Sequence, residues 1–170
     1  GGRWGRRCRV TGVGGRATGR PGLWRAGRGG ARGRGLGGAL GVGCRVFGIV
    51  PGGGQAEYVV THERMAVPIP SNLDFEQAAA VPEVFMTAHD ALEARAGLRP
   101  GESVLIHAVG SGVGTAATQL ARALGCTVFG TSRPAAKLNE AGGLGLDFGI
   151  DTQSDDCATV LFWATNGRGV

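Results

Sequence analysis

The chain has 170 residues, of which 34 are Gly, and its formal net charge is +5. The charge is unevenly divided: residues 1–43 hold 17 of the Gly and 10 of the 18 basic residues but no acid, whereas residues 44–170 carry 8 basic and 13 acidic side chains. The basic character therefore belongs to the first quarter alone. No run approaches ~18 consecutive apolar residues, which argues against a membrane-spanning helix, and no apolar stretch of the kind found in signal peptides follows the N-terminal charges.

The cysteines are too scattered to form a metal or disulfide framework. Cys8, Cys44, Cys126 and Cys157 are separated by at least 31 positions, with no pair at the short spacing of a zinc site. We therefore expect no bound metal. Free thiols of this kind are typical of a reducing compartment, so the predicted location is the cytoplasm.

Residues 1–43 are predicted to be disordered. Gly and Arg dominate this segment, and no period of 2 or 3.6 lets it bury an apolar face. Trp4, Trp24 and the Arg residues could stack on single-stranded RNA, but only residues 28–30 have the Arg-Gly-Gly form. We therefore do not expect nucleic acid as a partner. Every abundant residue here can be coded by GC-rich codons, so an out-of-frame translation is one interpretation of the segment.

Short strands and then helices follow. Residues 45–50 and 56–61 predict two strands that pair as a hairpin or as neighbours in a small β-barrel, and the prolines keep residues 66–70 extended. Asp74 and Gln77 have the spacing of a capping box at the start of a helix. Apolar residues at helical spacing then predict a second helix that reaches Ala96 and is closed by Gly97.

The rest of the chain alternates strand and helix. We predict strands at 103–107, 127–130 and 148–150, with helices at 115–124 and 134–140 between them. Cys126, just before the second strand, is interpreted as a small buried hydrophobe. This alternation of strands and helices indicates the first half of a doubly wound parallel sheet, in the α/β class.

A glycine-rich loop, residues 110–114, lies between the first of these strands and its helix. A pyrophosphate requires close backbone approach, free N–H groups and a helix N-terminus, which such a turn supplies, so we predict that Gly112 to Gly114 open the helix. The pattern is not a full GxGxxG, because Thr115 occupies the third glycine position. The alternative is a tight turn that only packs helix on strand.

The end of the second strand discriminates between cofactors. NAD sites place an acid there, whereas this chain has Thr131, Ser132 and Arg133, followed by Lys137. A hydroxyl and two cations favour the 2′-phosphate of NADP(H), and the alternative is a solvated loop with incidental cations. Of the histidines, His107 is expected to be packed and hydrogen-bonded at a strand end, and His62 and His89 to lie on the surface. No catalytic acid is identified.

From Phe47 to Ile150 the chain resembles the zinc-independent NADPH quinone oxidoreductase (zeta-crystallin-like) branch of the medium-chain dehydrogenase/reductase superfamily. The matching pieces include the runs at 45–48, 53–60, 66–70, 78–82, 98–102, 106–108, 111–114 and 119–121. The tail, residues 166–170, is similar to the family's segment before its fourth nucleotide-domain strand. The order and spacing of these pieces make the resemblance specific.

The resemblance implies a partial GroES-like catalytic domain with connecting helices at 44–96 and a partial NAD(P)-binding Rossmann domain at 97–170, after the Gly/Arg-rich residues 1–43. It implies hydride transfer from NADPH to a quinone or related enone, without zinc, and homo-oligomers for full-length members. It also implies cofactor-binding roles: Thr87 faces the nicotinamide, Ser111, Gly112, Val113 and Gly114 hold the pyrophosphate, and Thr131, Ser132, Arg133 and Lys137 surround the ribose phosphate.

The chain departs from the family at its two ends. Residues 1–43 do not resemble the family, and the second half of the Rossmann sheet is not present in the 170 residues. We therefore expect little turnover from this chain alone. Two alternatives stay open: an inactive nucleotide-binding remnant, and a basic nucleic-acid-binding arm on a non-enzymatic domain.

Overall fold

The computed structural model describes residues 7–11, 24–30, 40, 43–53, 56, 58–133 and 135–170. The chain divides into two compact units, residues 1–83 and 84–170. The three-part division at 43 and 96 expected from the sequence stays a prediction.

The first unit is built on a five-stranded sheet in which every neighbouring pair is antiparallel. Its strands are β1 (Arg7–Thr11), β2 (Trp24–Gly30), β3 (Cys44–Ile49), β4 (Tyr58–His62) and β5 (Ala66–Pro68). A 3₁₀ turn, Glu63–Met65, joins the last two strands. The sheet order is β4-β1-β2-β3-β5, so the extended run predicted at 66–70 contributes the edge strand β5.

The prediction that β3 and β4 pair as a hairpin or lie as neighbours in a small β-barrel is wrong. The two strands do not pair, because β1 and β2 lie between them in the sheet. They meet through side chains instead: Val59 of β4 belongs to the same buried cluster as Val46 of β3 and Val50, which follows β3. The short turn at 51–54 favours a hairpin locally, but both strands have partners from the preceding segment, and such long-range pairing has no local signal.

Two stretches of the segment predicted to be disordered are strands in the structure. β1 and β2 both lie within residues 1–43, and β2 pairs along its length with β3. Strand pairing uses backbone N–H and C=O groups, so it does not require the apolar periodicity on which the prediction of disorder rested. Most other residues of that segment lie outside the described residues.

A short helix, α1 (Phe75–Ala80), follows the sheet and begins as predicted. The Asp74 carboxylate accepts the Gln77 N–H at 2.7 Å, and the Gln77 side chain accepts the Asp74 N–H at 3.0 Å. Both halves of the capping box are therefore formed, which satisfies two N–H groups that the first turn leaves without helical partners.

The second unit alternates helices with a parallel sheet. Its strands are β6 (Ser103–Ile106), β7 (Thr127–Ser132) and β8 (Phe148–Asp151), and its helices are α2 (Val84–His89), α3 (Gly112–Ala123), α4 (Ala135–Gly142) and α5 (Cys157–Ala164). β7 lies between β6 and β8, and both pairings are parallel. The predicted first half of a doubly wound sheet is thereby confirmed.

The second predicted helix differs in its last part. α2 ends at His89, and residues Asp90–Arg95 form a π-helical turn, which the Ala96 N–H closes on Ala91 O, five residues back, at 3.0 Å. Gly97 then ends the helical run with φ +66°, as expected for a glycine in the left-handed region. Apolar spacing alone does not distinguish an α-turn from a π-turn over so few residues.

The core of the second unit centres on β7. Five of its six residues are buried, and Val128 packs with Ile106, Val109 and residues of α3 in one cluster. Cys126 is 2% exposed, which confirms it as a buried hydrophobe, and its thiol lies 3.2 Å from Arg99 O. No helix among the described residues combines the length and the apolar composition needed to cross a membrane.

Candidate nucleotide-binding site

The turn between β6 and α3 is organised by Ser111. Its backbone is extended (φ −85°, ψ 165°), and its hydroxyl accepts the Gly114 N–H at 3.0 Å. Ser111 O accepts the Thr115 N–H at 2.8 Å, which starts the helical bonding. Ser111 is therefore the N-cap, and α3 opens at Gly112, which confirms the prediction that Gly112 to Gly114 form its first turn.

Two backbone donors at this helix end remain free for a ligand. Within the described part of the chain, the N–H groups of Gly112 and Val113 have no protein acceptor, and both residues are exposed. The first N–H groups of a helix lack partners within it, and the helix dipole adds partial positive charge at the same place. The arrangement is suited to the oxygens of a phosphate group.

Close packing, against backbone at Gly114 and against a side chain at Gly110, explains why these two glycines are needed. A Cβ at Gly114 would lie 2.5 Å from Ala108 O and 2.8 Å from the backbone of Val109, which cannot yield as a side chain does. A Cβ at Gly110 would lie 2.7 Å from the Lys137 side chain, so the alkyl chain of Lys137 passes directly over the loop. Gly114 lets the helix start against the preceding turn, and Gly110 leaves space for Lys137.

Thr131 ties β7 to the same turn. Its backbone carbonyl accepts the Val109 N–H at 2.9 Å, and its hydroxyl lies 3.3 Å from Ala108 N and 3.1 Å from His107 Nδ1. Ala108 has φ +52°, an uncommon conformation for a residue with a side chain. His107 has the expected hydrogen bond, but it is exposed and not packed, because the chain turns towards solvent as it leaves β6.

The two cations predicted for a 2′-phosphate flank the carboxyl end of β7. Arg133 and Lys137 are both exposed, and neither is within ion-pair distance of a carboxylate among the described residues. Ser132, by contrast, is only 7% exposed, and its carbonyl accepts the Thr152 N–H at 3.1 Å. Among these three residues, the charges available to a ligand are therefore those of the two cations.

An acid that was not identified from the sequence, Asp151, also lies at the carboxyl end of this parallel sheet. Asp151 ends β8 and lies opposite Ser132 in the parallel register. Its carboxylate accepts the Gln153 N–H at 3.0 Å, which engages it in its own turn. Parallel pairing of the predicted strands could have identified Asp151, because the residue that ends one strand lies beside the residue that ends its neighbour.

The remaining predicted residue, Thr87, is exposed on α2. The first residue of that helix, Val84, comes within 3.3 Å of the position of a Cβ at Gly112, so α2 begins beside the glycine turn. The nicotinamide-facing role of Thr87 stays a prediction.

Among the described residues, no group of three or more His, Cys, Asp or Glu side chains could hold a metal ion, and zinc independence likewise stays a prediction.

The family described as zinc-binding dehydrogenase matches residues 112–170. Relatives of the chain include the spectinabilin polyketide synthase system protein NorB of Streptomyces orinoci, 50% identical over 110 residues that are 65% of this chain and 5% of that protein. The reducing polyketide synthase rdc5 of Metacordyceps chlamydosporia is 40% identical over 131 residues, 75% of this chain and 6% of that protein. The chain thus spans a small fraction of these proteins.

Solved structures with the same fold include two reductases. The structure of the CurK enoyl reductase has a TM-score of 0.76 and 33% sequence identity, covering 87% of this chain and 44% of that chain. The Escherichia coli quinone oxidoreductase, solved in complex with NADPH, has a TM-score of 0.75 and 26% identity, covering 96% of this chain and 55% of that chain. The family match and these neighbours together show that the chain belongs to the medium-chain dehydrogenase/reductase superfamily.

Proposed function

We propose that this chain forms the NADPH-binding part of an oxidoreductase that reduces a C=C bond conjugated to a carbonyl group. The observation that carries the proposal is the exposed, Ser111-capped start of α3, where two N–H groups have no acceptor among the described residues. The same unit carries two exposed cations, Arg133 and Lys137, for which the described part of the chain provides no acidic partner. Phosphate groups are the ligands that both features favour. The bound dinucleotide would supply the hydride, and solvent the accompanying proton.

The proposed residue roles follow from these positions. Ser111 and Gly114 shape the turn, and the N–H groups of Gly112 and Val113 bind the pyrophosphate. Arg133 and Lys137 bind the ribose 2′-phosphate, with Ser132 beside them, and Thr87 faces the nicotinamide side. Asp151 accepts the Gln153 N–H in its own turn, and the two exposed cations, Arg133 and Lys137, outnumber this single carboxylate in determining the choice of cofactor.

The acceptor that the relatives favour is an enoyl group. The relatives reported above are polyketide synthases, and the CurK enoyl reductase is more similar in sequence than the quinone oxidoreductase, at 33% against 26% identity. A quinone remains the second candidate, since both acceptors present a C=C bond conjugated to a carbonyl. The proposal therefore places an α,β-unsaturated thioester first and a quinone second.

A pair of variants at Gly112 tests the cofactor site. Gly112 has no positive φ, and among the described residues a Cβ there would meet only Val84 Cγ1, at 3.3 Å, so both Gly112→Asp and Gly112→Ala should fold. Fluorescence titration of the 170-residue chain should show NADPH binding that Asp weakens at least about tenfold, because its carboxylate occupies the phosphate position, while Ala changes it by less than about threefold. Equal effects of the two substitutions, or no binding by the unsubstituted chain, would refute the site.

The acceptor is tested at stoichiometric protein concentration, where even slow hydride transfer is measured. We expect faster NADPH oxidation, followed at 340 nm, with a crotonyl thioester than with 1,4-benzoquinone. The reverse order would assign the chain to quinones. Intact NADPH binding with no oxidation by either acceptor would support the alternative of a nucleotide-binding remnant.

A further inference from the structure

The hydroxyl of Thr131 points towards the turn that leaves β6. The side chain is 4% exposed, so a ligand in solvent does not reach it freely. Its hydroxyl is already engaged by the Ala108 N–H and by His107 Nδ1, and its carbonyl by the Val109 N–H. A single residue of β7 thus holds three consecutive residues of the turn that leaves β6.

The middle residue of those three is the strained one. Ala108 has φ +52°, and a left-handed conformation is disfavoured for alanine by contact of its Cβ with the following carbonyl. Strained backbone of this kind persists where surrounding contacts fix it. Thr131 supplies three of these contacts: its hydroxyl bonds the Ala108 N–H and His107 Nδ1, and its carbonyl accepts the Val109 N–H.

The conformation of Ala108 in turn sets the start of α3. Ala108 O accepts the Ser111 N–H at 2.9 Å and lies 2.5 Å from the position of a Cβ at Gly114. Ser111, placed in this way, caps the helix through Gly114 N, which leaves Gly112 and Val113 with free N–H groups. A continuous series of contacts therefore runs from the Thr131 hydroxyl to the two proposed phosphate donors.

We propose that Thr131 is a positioning residue that holds Ala108 in its left-handed conformation and thereby aims the Gly112 and Val113 N–H groups at the cofactor phosphates. The proposal rests on the proposed NADPH site and gives Thr131 a role through the turn instead of a direct contact with the ribose phosphate. It also predicts that the strain at Ala108 and the hydroxyl of Thr131 are energetically coupled.

Four variants of the 170-residue chain test the coupling. Thr131→Val removes the hydroxyl and keeps the shape, and it should weaken NADPH binding about five- to tenfold through loss of the hydrogen bonds. Thr131→Ser keeps the hydroxyl and should bind within about twofold of the unsubstituted chain. Thr118→Val is the matched control: Thr118 is fully buried and its hydroxyl donates to Gly114 O within α3, so its loss should affect stability more than binding.

The fourth variant is the rescue. Adding Ala108→Gly to Thr131→Val should restore most of the lost affinity, since glycine adopts positive φ without the contact that disfavours alanine. If Thr131→Val binds NADPH normally, if Thr131→Ser fails equally, or if Ala108→Gly restores nothing, the positioning role is wrong.

Amide hydrogen exchange separates this inference from the proposed function. The Ala108 and Val109 amides should exchange faster in Thr131→Val than in the unsubstituted chain or Thr118→Val, whether or not NADPH binds. Unchanged exchange at both amides overturns the positioning role. Failure of the unsubstituted chain to bind NADPH, with the exchange result as expected, overturns the proposed cofactor and leaves the mechanical role of Thr131 in place.

Discussion

At the scale of single residues, Lys137 and Arg133 are not equivalent cations. The alkyl chain of Lys137 lies over Gly110, so its removal would take away packing as well as charge, whereas no hydrogen bond or ion pair of the Arg133 side chain occurs among the described residues. Truncation to alanine would therefore confuse the two effects at Lys137. Methionine keeps most of the length and apolar character of both side chains and removes only the charge and the donors.

The double variant Arg133→Met, Lys137→Met should lose preference for NADPH. Without the two cations, affinity for NADPH should fall at least about tenfold, equivalent to about 1.4 kcal/mol, and affinity for NADH should stay nearly constant. Calorimetric titration of both cofactors measures this. Arg64→Met, at an exposed cation of the first unit, is the matched control and should leave both affinities unchanged. A parallel loss of NADH affinity would show that the cations do not read the 2′-phosphate.

At the scale of elements, the short helix α5 depends on its cap. None of its residues is buried, and Phe162 and Trp163 are 59% and 74% exposed. The Asp156 carboxylate accepts hydrogen bonds from the hydroxyl and the backbone N–H of Thr159. With so little burial, the first turn relies on these bonds and on the favourable position of a negative charge at a helix N-terminus.

This cap gives α5 a defined pH dependence. The hydrogen bond from the Thr159 hydroxyl, with that from its backbone N–H, lowers the pKa of Asp156 below its ordinary value of about 3.9. A lowered folded-state pKa means that the stabilisation is complete above the unfolded pKa and is lost as the pH falls through the folded one. The Thr159 amide resonance should therefore titrate below pH 4, with fraying of α5.

Asp156→Asn is the control for this titration, since asparagine caps a helix without ionising. In that variant the Thr159 amide should not titrate, and α5 should persist at low pH. A midpoint at or above the ordinary carboxyl value, or the same titration in the asparagine variant, would contradict the role given to the cap.

At the scale of the whole molecule, the larger of the buried clusters formed by the described residues lies in the second unit. The first unit has buried clusters of three and two hydrophobic residues among those described, whereas the second has one cluster of ten. Apolar burial is the main source of stability, so the unit with the larger continuous cluster should open least often. Within it, the central strand β7 is bonded on both sides and buried along most of its length.

Native-state hydrogen exchange of the 170-residue chain should therefore be slowest at residues 128–132 and faster by at least about tenfold in β5 and α1. The difference should persist when NADPH is absent, because it comes from the core and not from the ligand. Equal protection in the two units, or stronger protection of β5 than of β7, would show that core size does not set the order of opening.

The sequence by itself determined the features that a few neighbouring residues control. Asp74 and Gln77 form their capping box, Gly97 adopts positive φ, and residues 103–150 fold as strand, helix, strand, helix and strand because hydrophobic period and turn chemistry are local. The glycine turn at the start of α3 was predictable for the same reason. Its residue types specify both the sharp backbone path and the free N–H groups.

Tertiary structure alone decided what depends on residues far apart in the chain. One example is the sheet of the first unit, in which two other strands separate β3 from β4. The candidate site gives three more: Thr131 bonds Ala108, Lys137 lies over Gly110, and Asp151 lies beside Ser132. Each of these contacts joins segments that are more than ten residues apart. No local preference encodes such a contact, because its energy depends on which surfaces the completed fold brings together. The candidate site therefore combines a turn specified locally with an arrangement of supporting residues that only the folded chain defines.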